Sequence, residues 1–529
     1  MPVSVPHLHD ELHSNTNRVT LETRYGPVTG GKASNGSTVF LEIPYASPPK
    51  RFEDPQQLPD DFKYPYKEFI SESSYAAQPL NDGQAADTPF EEKVGLGSPT
   101  EDALFLNIYI PPSFPFKANF PVKVFIHGGF LQFGSPHSVA TQEHFIAAER
   151  NEVWVNIAYR LSAFGFIASA RHRLSGNYGF KDQWLALQWV RANIAAFGGN
   201  SEDVQIVGLS AGAHSVHQLL HHVSTLPENE DAPFSSAMLQ SNAMLANPKT
   251  PTELEPQFEA LCKALGLDSN SSDILDTLKD TEKVPWSTIT QVIDSEKLGQ
   301  YGTFRGCLSD DWVITNPGPM ERQRNGDFGK SLQKHGVRYI ITGEVSEEWY
   351  LYSIAHSVTN SLDIVPNLQR YFAPEVVQKL VERYPILPSS ATEEEAARQF
   401  GDLLSCVQVY LPVRILARDL VETGFPILRY QIQWTPEECR PEGTSYVTHG
   451  SDRELWSLSL PALTKEQADI ARSWLDAVDY EVENLKLGHP AQHSANEILV
   501  LDVDCKIHWA QDPQWKELTD LGATIFSGA

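Results

Sequence analysis

Cysteine is scarce in this chain. Its five thiols, Cys262, Cys307, Cys406, Cys439 and Cys505, are odd in number, scattered and without a CxxC pair. That pattern argues against a disulfide framework or a cysteine-built zinc site and is expected of a reducing compartment. Long apolar runs are missing too, since no segment approaches the roughly 20 residues that cross a bilayer. The opening MPVSVPHLHDELHSNTNRVT lacks the basic start and apolar centre of a leader peptide. A cytoplasmic location and no membrane partner are therefore expected. Positive charge is also short: 41 Lys and Arg against 68 Asp and Glu leave a formal charge of −27. Such a chain repels phosphate backbones, so nucleic acid is not an expected partner. Internal repeats and low-complexity linkers are absent.

Hydrophobic residues make up 41% of the 529 residues, enough for a sizeable core. The stretch Arg18 to Pro49 reads as two strands, VTLETRYGPVTG and STVFLEIPY, joined by a Gly-rich turn. Residues 73–100 are polar, with Gln78, Asn81, Asp82, Asp87, Glu91 and Glu92 among Gly and Pro, and read as a surface loop. Further strands are expected at Leu104 to Ile110, Val122 to Ile126 and Val153 to Tyr159. Between Phe180 and Phe197, apolar residues at Trp184, Leu187, Val190 and Ile194 recur at helical spacing. Alternating strands and helical segments predict crossover units and a largely parallel sheet. After about Asn247 the pattern becomes more helical and acidic, with two late strands at Val337 to Thr342 and Phe425 to Trp434.

The chain is organised around Asp203 to His217, DVQIVGLSAGAHSVH, a strand, a sharp turn and a helix. A turn of the form Gly208-Leu-Ser210-Ala-Gly212 can lift the Ser210 hydroxyl above the sheet edge, because the two glycines remove Cβ atoms that would clash. The following helix points its free N–H groups at charge that develops beside that hydroxyl. A serine hydroxyl needs a base to become a nucleophile and an acid to orient the base. In hydrolases of this layout the chain order is serine, acid, histidine. Candidates follow in that order: Gly343 to Glu348 (GEVSEE) after one late strand, and His449, in VTHGSD, after the other.

Seven motifs, in order along the chain, carry a resemblance: IPYASPPKRF (43–52), TEDALFLNIYIP (100–111), FIHGG (125–129), YRLSAFGF (159–166), NYGFKDQWLALQWVRANIAAFGGN (177–200), GLSAG (208–212) and MLQSN (238–242). Together they closely resemble the type-B carboxylesterase/lipase family, which also includes cholinesterases and the catalytically silent neuroligins. The resemblance implies an α/β-hydrolase fold: a large, mostly parallel mixed central sheet with helices on both faces. Residues 1–17 are then expected as a disordered N-terminal segment, and residues 18–529 as one domain.

By the same resemblance Ser210 is the nucleophile, Glu348 the acid and His449 the base, with Glu347 as the rival acid. The oxyanion donors would be the N–H groups of Gly129, Phe130 and Ala211. Phe130 stands where relatives have a third glycine, so either strain and a narrowed acyl pocket or a one-residue rearrangement of the loop is expected. Leu209 replaces a glutamate frequent beside the nucleophile. The Pro-Pro-to-Arg-Phe spacing before Arg51 is shorter than in relatives. Ser241 would support the histidine from behind. Arg51 with Glu101, and Arg160 with Asp182, would form structural ion pairs. Ala103 replaces a cysteine of secreted relatives.

The expected reaction is hydrolysis of a small-molecule carboxylic ester through an acyl-enzyme, without metal or cofactor. His214, His217 and His221 share a helix face, but no HExxH arrangement accompanies them, so an ordinary histidine-rich helix is the expected reading. Two alternatives stand: a non-catalytic interaction protein, or the same nucleophile acting on a lactone, thioester or carbamate or in acyl transfer.

Overall fold

The computed structural model describes residues 5–80, 88–308, 312, 316–487 and 493–526. Asn81, Asp82 and Asp87 of the polar stretch lie outside the described residues. Among the described residues fourteen strands run in chain order. They are β1 Arg18–Thr23, β2 Gly26–Lys32, β3 Thr38–Pro44, β4 Ser74–Ala76, β5 Ser98–Thr100, β6 Phe105–Ile110 and β7 Phe120–Ile126, then β8 Val153–Ile157, β9 Gly199–Leu209, β10 Ser236–Gln240, β11 Tyr339–Val345, β12 Ile427–Ile432, β13 Glu497–Leu501 and β14 Ile507–Gln511. Twelve form one sheet in the order β1-β2-β3-β6-β8-β7-β9-β10-β11-β12-β13-β14, while β4 and β5 pair separately. From β8 to β13 every neighbouring pair is parallel. The two ends are antiparallel. The result is the large, mostly parallel mixed sheet expected.

Alternation explains why the strands stay flat between two cores. Val124, Ile126, Ile206, Ala237, Leu239 and Ile340 face one hydrophobic cluster. Their neighbours Phe125, Val207, Met238 and Ile341 face the other. Side chains of a strand alternate sides, so this period of two is the mark of a sheet covered on both faces. Helices Tyr178–Asn193 and Ala211–Val223 bury Trp184, Val190, Val216 and Leu219 in the first cluster. Helix Lys465–Lys486 buries Ala471, Trp474 and Val478 in the second. Each large side chain so buried contributes about 1.5–3 kcal/mol.

Three expectations need correction. The N-terminal segment is not disordered where it is described: Leu8–Ser14 is a helix with Leu8 and Leu12 buried, and His7 Nδ1 lies 2.9 Å from Glu72 Oε2. The stretch beginning at Arg18 is itself a hairpin of β1 and β2, so the region holds three strands, not two. Residues 73–100 are more than a surface loop. They contain β4, β5 and the short helix Phe90–Val94, and Tyr75, Ala76, Ala77 and Gln78 are buried.

Among the described residues one helical stretch, Glu393–Glu422, is long and apolar enough to cross a membrane, but 89% of its most apolar window is buried inside the protein. It contains a single π turn, Cys406–Tyr410. Just beyond that turn Arg414, fully buried, pairs with Glu344 at 2.8 Å and Asp512 at 2.9 Å; Asp512 also pairs with Arg429 at 2.6 Å. This cluster ties the helix to β11 and β12, the two strands whose ends carry the acid and base candidates.

Candidate active site

The elbow is built as its sequence demands. Strand β9 ends at Leu209 and the helix Ala211–Val223 starts immediately, leaving Ser210 with φ 60° and ψ −124°. A residue other than glycine persists in that conformation only where its surroundings impose it. A Cβ on Gly208 would strike the backbone of Gly212, and one on Gly212 would strike the carbonyl of Ile126. Strand and helix therefore meet only because both positions are glycine. The Ser210 N–H donates to Gln240 O at 2.9 Å, and Ser210 O accepts from His214 N at 3.0 Å.

The late strands deliver the partners. Glu348, fully buried, is held by three contacts: its Oε2 lies 2.6 Å from His449 Nδ1, its Oε1 accepts Val345 N–H at 3.0 Å, and its own N–H donates to Tyr410 Oη at 3.0 Å. Glu347 is committed elsewhere, accepting from Val447 N at 2.9 Å and Ser346 Oγ at 2.6 Å. The other ring nitrogen of His449, Nε2, is buried and has no hydrogen-bond partner among the described residues, Ser210 included. Leu209 Cδ2 lies 3.9 Å from where a Cβ on Gly450 would stand, so the residue before the serine meets the residue after the histidine. Asp452 is buried close by, and desolvation, with the Glu348 charge, pushes its carboxyl up to about 6. Arg453 holds the same loop by donating to Ala140 O at 2.9 Å and pairing with Glu143 at 3.3 Å.

Gly129, Phe130 and Ala211 all have N–H groups with no acceptor among the described residues. Phe130 takes φ 56° and Leu131 φ 67°. The Phe130 ring enters an aromatic cluster, 6.2 Å from Tyr352, 6.0 Å from Tyr371 and 6.5 Å from His356. Tyr352 in turn stands edge-on to His449 at 5.3 Å. The phenyl group thus walls the site while its backbone stays in the left-handed region a glycine would occupy freely. Ser241, at φ 56°, donates its N–H to Gly343 O at 2.9 Å, and its Oγ is buried without a partner among the described residues.

The two ion pairs form. Arg160 holds Asp182 through Nε at 2.8 Å and Nη2 at 2.7 Å. Arg51 Nε donates to Glu101 at 2.7 Å, and its Nη1 donates to the carbonyls of Leu278 and Val284, both at 2.7 Å. The shortened spacing before Arg51 leaves the pair intact. Of the three histidines on one face of the elbow helix, His217 and His221 stack at 4.7 Å, and burial pushes His217 down to about 3. Among the described residues no cluster of His, Cys, Asp or Glu is arranged to hold a metal.

Three positioning residues had no signal in the sequence. Gln132 donates to Phe130 O at 2.8 Å and Phe304 O at 2.6 Å and accepts from Phe304 N at 3.1 Å. Gln78 brackets Gly134, donating to its carbonyl at 3.0 Å and accepting from its N–H at 2.8 Å. Tyr410, in the π turn, accepts from Glu348 N and donates to Ser346 O at 3.0 Å. π turns recur at functional sites because they turn one side chain out of register.

A sequence model of the carboxylesterase family matches residues 17–487. The chain belongs to the carboxylesterase family. It is a carboxylic ester hydrolase, and small-molecule esters are its class of substrate. An uncharacterized esterase/lipase of Schizosaccharomyces pombe is 30% identical over 92% of both chains. A carboxylic ester hydrolase of Gibberella moniliformis is 30% identical over 79% of this carboxylesterase and 78% of its own length. In structure, a PNB esterase superposes with a TM-score of 0.72 at 22% identity, covering 96% of this chain and 100% of its own. The carboxylesterase therefore has the α/β-hydrolase fold.

Proposed function

We propose that this carboxylesterase works through an acyl-enzyme on Ser210, with His449 as base and Glu348 as acid. The observation that carries this reading is the 2.6 Å contact between buried Glu348 and His449 Nδ1, with Nε2 left buried and without a partner among the described residues. Nδ1–H donating to the carboxylate sets the tautomer in which Nε2 accepts a proton. Ser210 Oγ forms a bond to the ester carbonyl carbon while its proton passes to His449 Nε2. The carbonyl electron pair becomes an oxyanion, for which the unpartnered N–H groups of Gly129, Phe130 and Ala211 are the donors. Each such donor is typically worth about 3 kcal/mol of barrier. Collapse of the tetrahedral species breaks the bond to the alcohol, which leaves with the proton from His449. Water then repeats both steps on the acyl-enzyme, releasing the acid. Ser241, expected to support the histidine from behind, makes no side-chain hydrogen bond among the described residues and is given no role in these steps.

The test is labelling with a fluorescent fluorophosphonate, located by peptide mass spectrometry, alongside turnover of p-nitrophenyl butyrate. Label is expected on Ser210 and lost in Ser210→Ala and His449→Ala. Unchanged turnover by folded Ser210→Ala would overturn the assignment.

A further inference from the structure

A cavity of about 390 Å³ lies against the wall of the site. Its lining includes His214, one turn into the elbow helix from Ser210, and Tyr371, whose ring meets Phe130. Three cations also line it: Arg305, Arg370 and Lys249. Arg305 is tied to the oxyanion loop, because its neighbour Phe304 is bonded through both backbone groups to Gln132, which also holds Phe130.

Arg305 is the unusual member. Its guanidinium stacks over Tyr371 at 5.1 Å from the ring centre and has no carboxylate within ion-pair distance among the described residues. The other two cations donate to neutral groups, Lys249 Nζ to Gln369 O at 2.9 Å and Arg370 Nε to Asn367 Oδ1 at 2.7 Å, with Glu253 and Glu296 acting on them only through their charge. The acids that line the cavity, Glu253 and Glu375, are exposed, and Glu253 already accepts from the Thr250 N–H and hydroxyl at 2.8 and 2.7 Å. Desolvation lowers the affinity of Arg305, Arg370 and Lys249 for their protons, as expected of cations taken out of water without full compensation. His214 is neutral, being held well below its ordinary value by burial and by Arg305.

A partly desolvated cation cluster costs free energy unless a counter-charge meets it. The chain has 27 more acids than bases, so composition alone would not place three cations round one cavity whose lining reaches His214 on the elbow helix. We propose that the cavity is an anion subsite, and that the preferred substrate is an ester carrying a carboxylate on its acyl or alcohol part, bound by the Arg305 fork with Lys249 and Arg370 in support. A planar guanidinium stacked on an aromatic ring is fixed in orientation and matches a carboxylate through two parallel N–H donors. This proposal rests on the Ser210 esterase reading and refines its substrate class.

The test compares matched ester pairs that differ by one charge: para-acetoxybenzoate with its methyl ester, and mono-p-nitrophenyl adipate with p-nitrophenyl hexanoate. In at least one pair the anionic ester is expected to have the higher kcat/KM, by about tenfold to a hundredfold, the range of a charge-assisted hydrogen bond. The difference should lie in KM. Arg305→Gln should remove most of that ratio, and Arg305→Lys should keep part of it. Equal kcat/KM within both pairs, or an unchanged ratio in Arg305→Gln, overturns the proposal. If Arg305→Gln does not fold, protection of wild-type Ser210 from fluorophosphonate by adipate but not by neutral adipamide takes its place, and equal protection overturns it. Failure of Ser210 labelling and of p-nitrophenyl butyrate turnover would instead refute the underlying mechanism.

Discussion

Glu348→Gln tests the proposed triad most directly. Glu348 Oε1 accepts the Val345 N–H at 3.0 Å, so a glutamine in its place must keep its carbonyl oxygen there. Its NH₂ then occupies the position of Oε2, 2.6 Å from His449 Nδ1. Two donors cannot face one another, so Nδ1 gives up its hydrogen and becomes the acceptor. The neutral ring is left with its proton on Nε2, where it cannot take one from Ser210. An acid-to-amide change that imposes this tautomer in a serine triad lowers kcat about ten-thousand-fold, or about 5.4 kcal/mol at 1.36 kcal/mol per decade. The side chain is nearly isosteric and stays hydrogen-bonded, so the protein should fold. Steady-state hydrolysis of p-nitrophenyl butyrate, with a thermal melt as control, checks this. A kcat within tenfold of wild type in a folded variant would refute the reasoning.

Phe130→Gly sets two effects against each other: relief of a left-handed residue returns about 1–2 kcal/mol, whereas losing a buried phenyl group costs about 3–5 kcal/mol. The net should be a lower thermal midpoint together with faster turnover of bulky acyl esters, both read on one preparation. Arg414→Ala leaves Glu344 and Asp512 buried beside one fewer cation, and a loss of about 3–5 kcal/mol in urea unfolding is expected. Burial pushes Glu143 up to about 7, above its unfolded value, so the folded state holds its proton between roughly pH 4 and 7, and stability from this group falls as pH rises through that window. Glu143→Gln should therefore gain stability over wild type as pH rises toward 7 and hold a constant gain above it, measured as unfolding midpoints at graded pH.

Much of this architecture was legible in the sequence where its cause is local. The elbow depends on two glycines and a strand-to-helix change within fifteen residues, and the sheet on period-two alternation, so both could be read directly. The acid was harder, since Glu347 and Glu348 are chemically identical neighbours. The resemblance names Glu348, and the contacts differ in the same sense: Glu347 meets a backbone N–H and Glu348 the imidazole. What escaped was held by polar contacts between distant residues. Gln132 reaches Phe304 and Gln78 reaches Gly134 through hydrogen bonds that leave no periodicity behind. The helix Leu8–Ser14 is too short to stand alone and exists through buried leucines and the His7 contact to Glu72. The β1–β2 turn at Arg24 and Tyr25 lacks the Asn-Gly or Asp-Gly pair that usually marks a hairpin. Strands β4 and β5, three residues each, are too brief for alternation to register.

The π turn at Cys406–Tyr410 is in effect one surplus residue lodged in a long buried helix. Deleting a single residue there would restore an ideal backbone spiral, and every side chain on one side of the cut would swing by about 100° relative to the other. Tyr410 could then no longer reach Glu348, or Arg414 could no longer reach Glu344. If the proposed triad operates, the smoother helix would belong to a poorer catalyst, so one codon more or less at this point would be felt at the far end of these side chains.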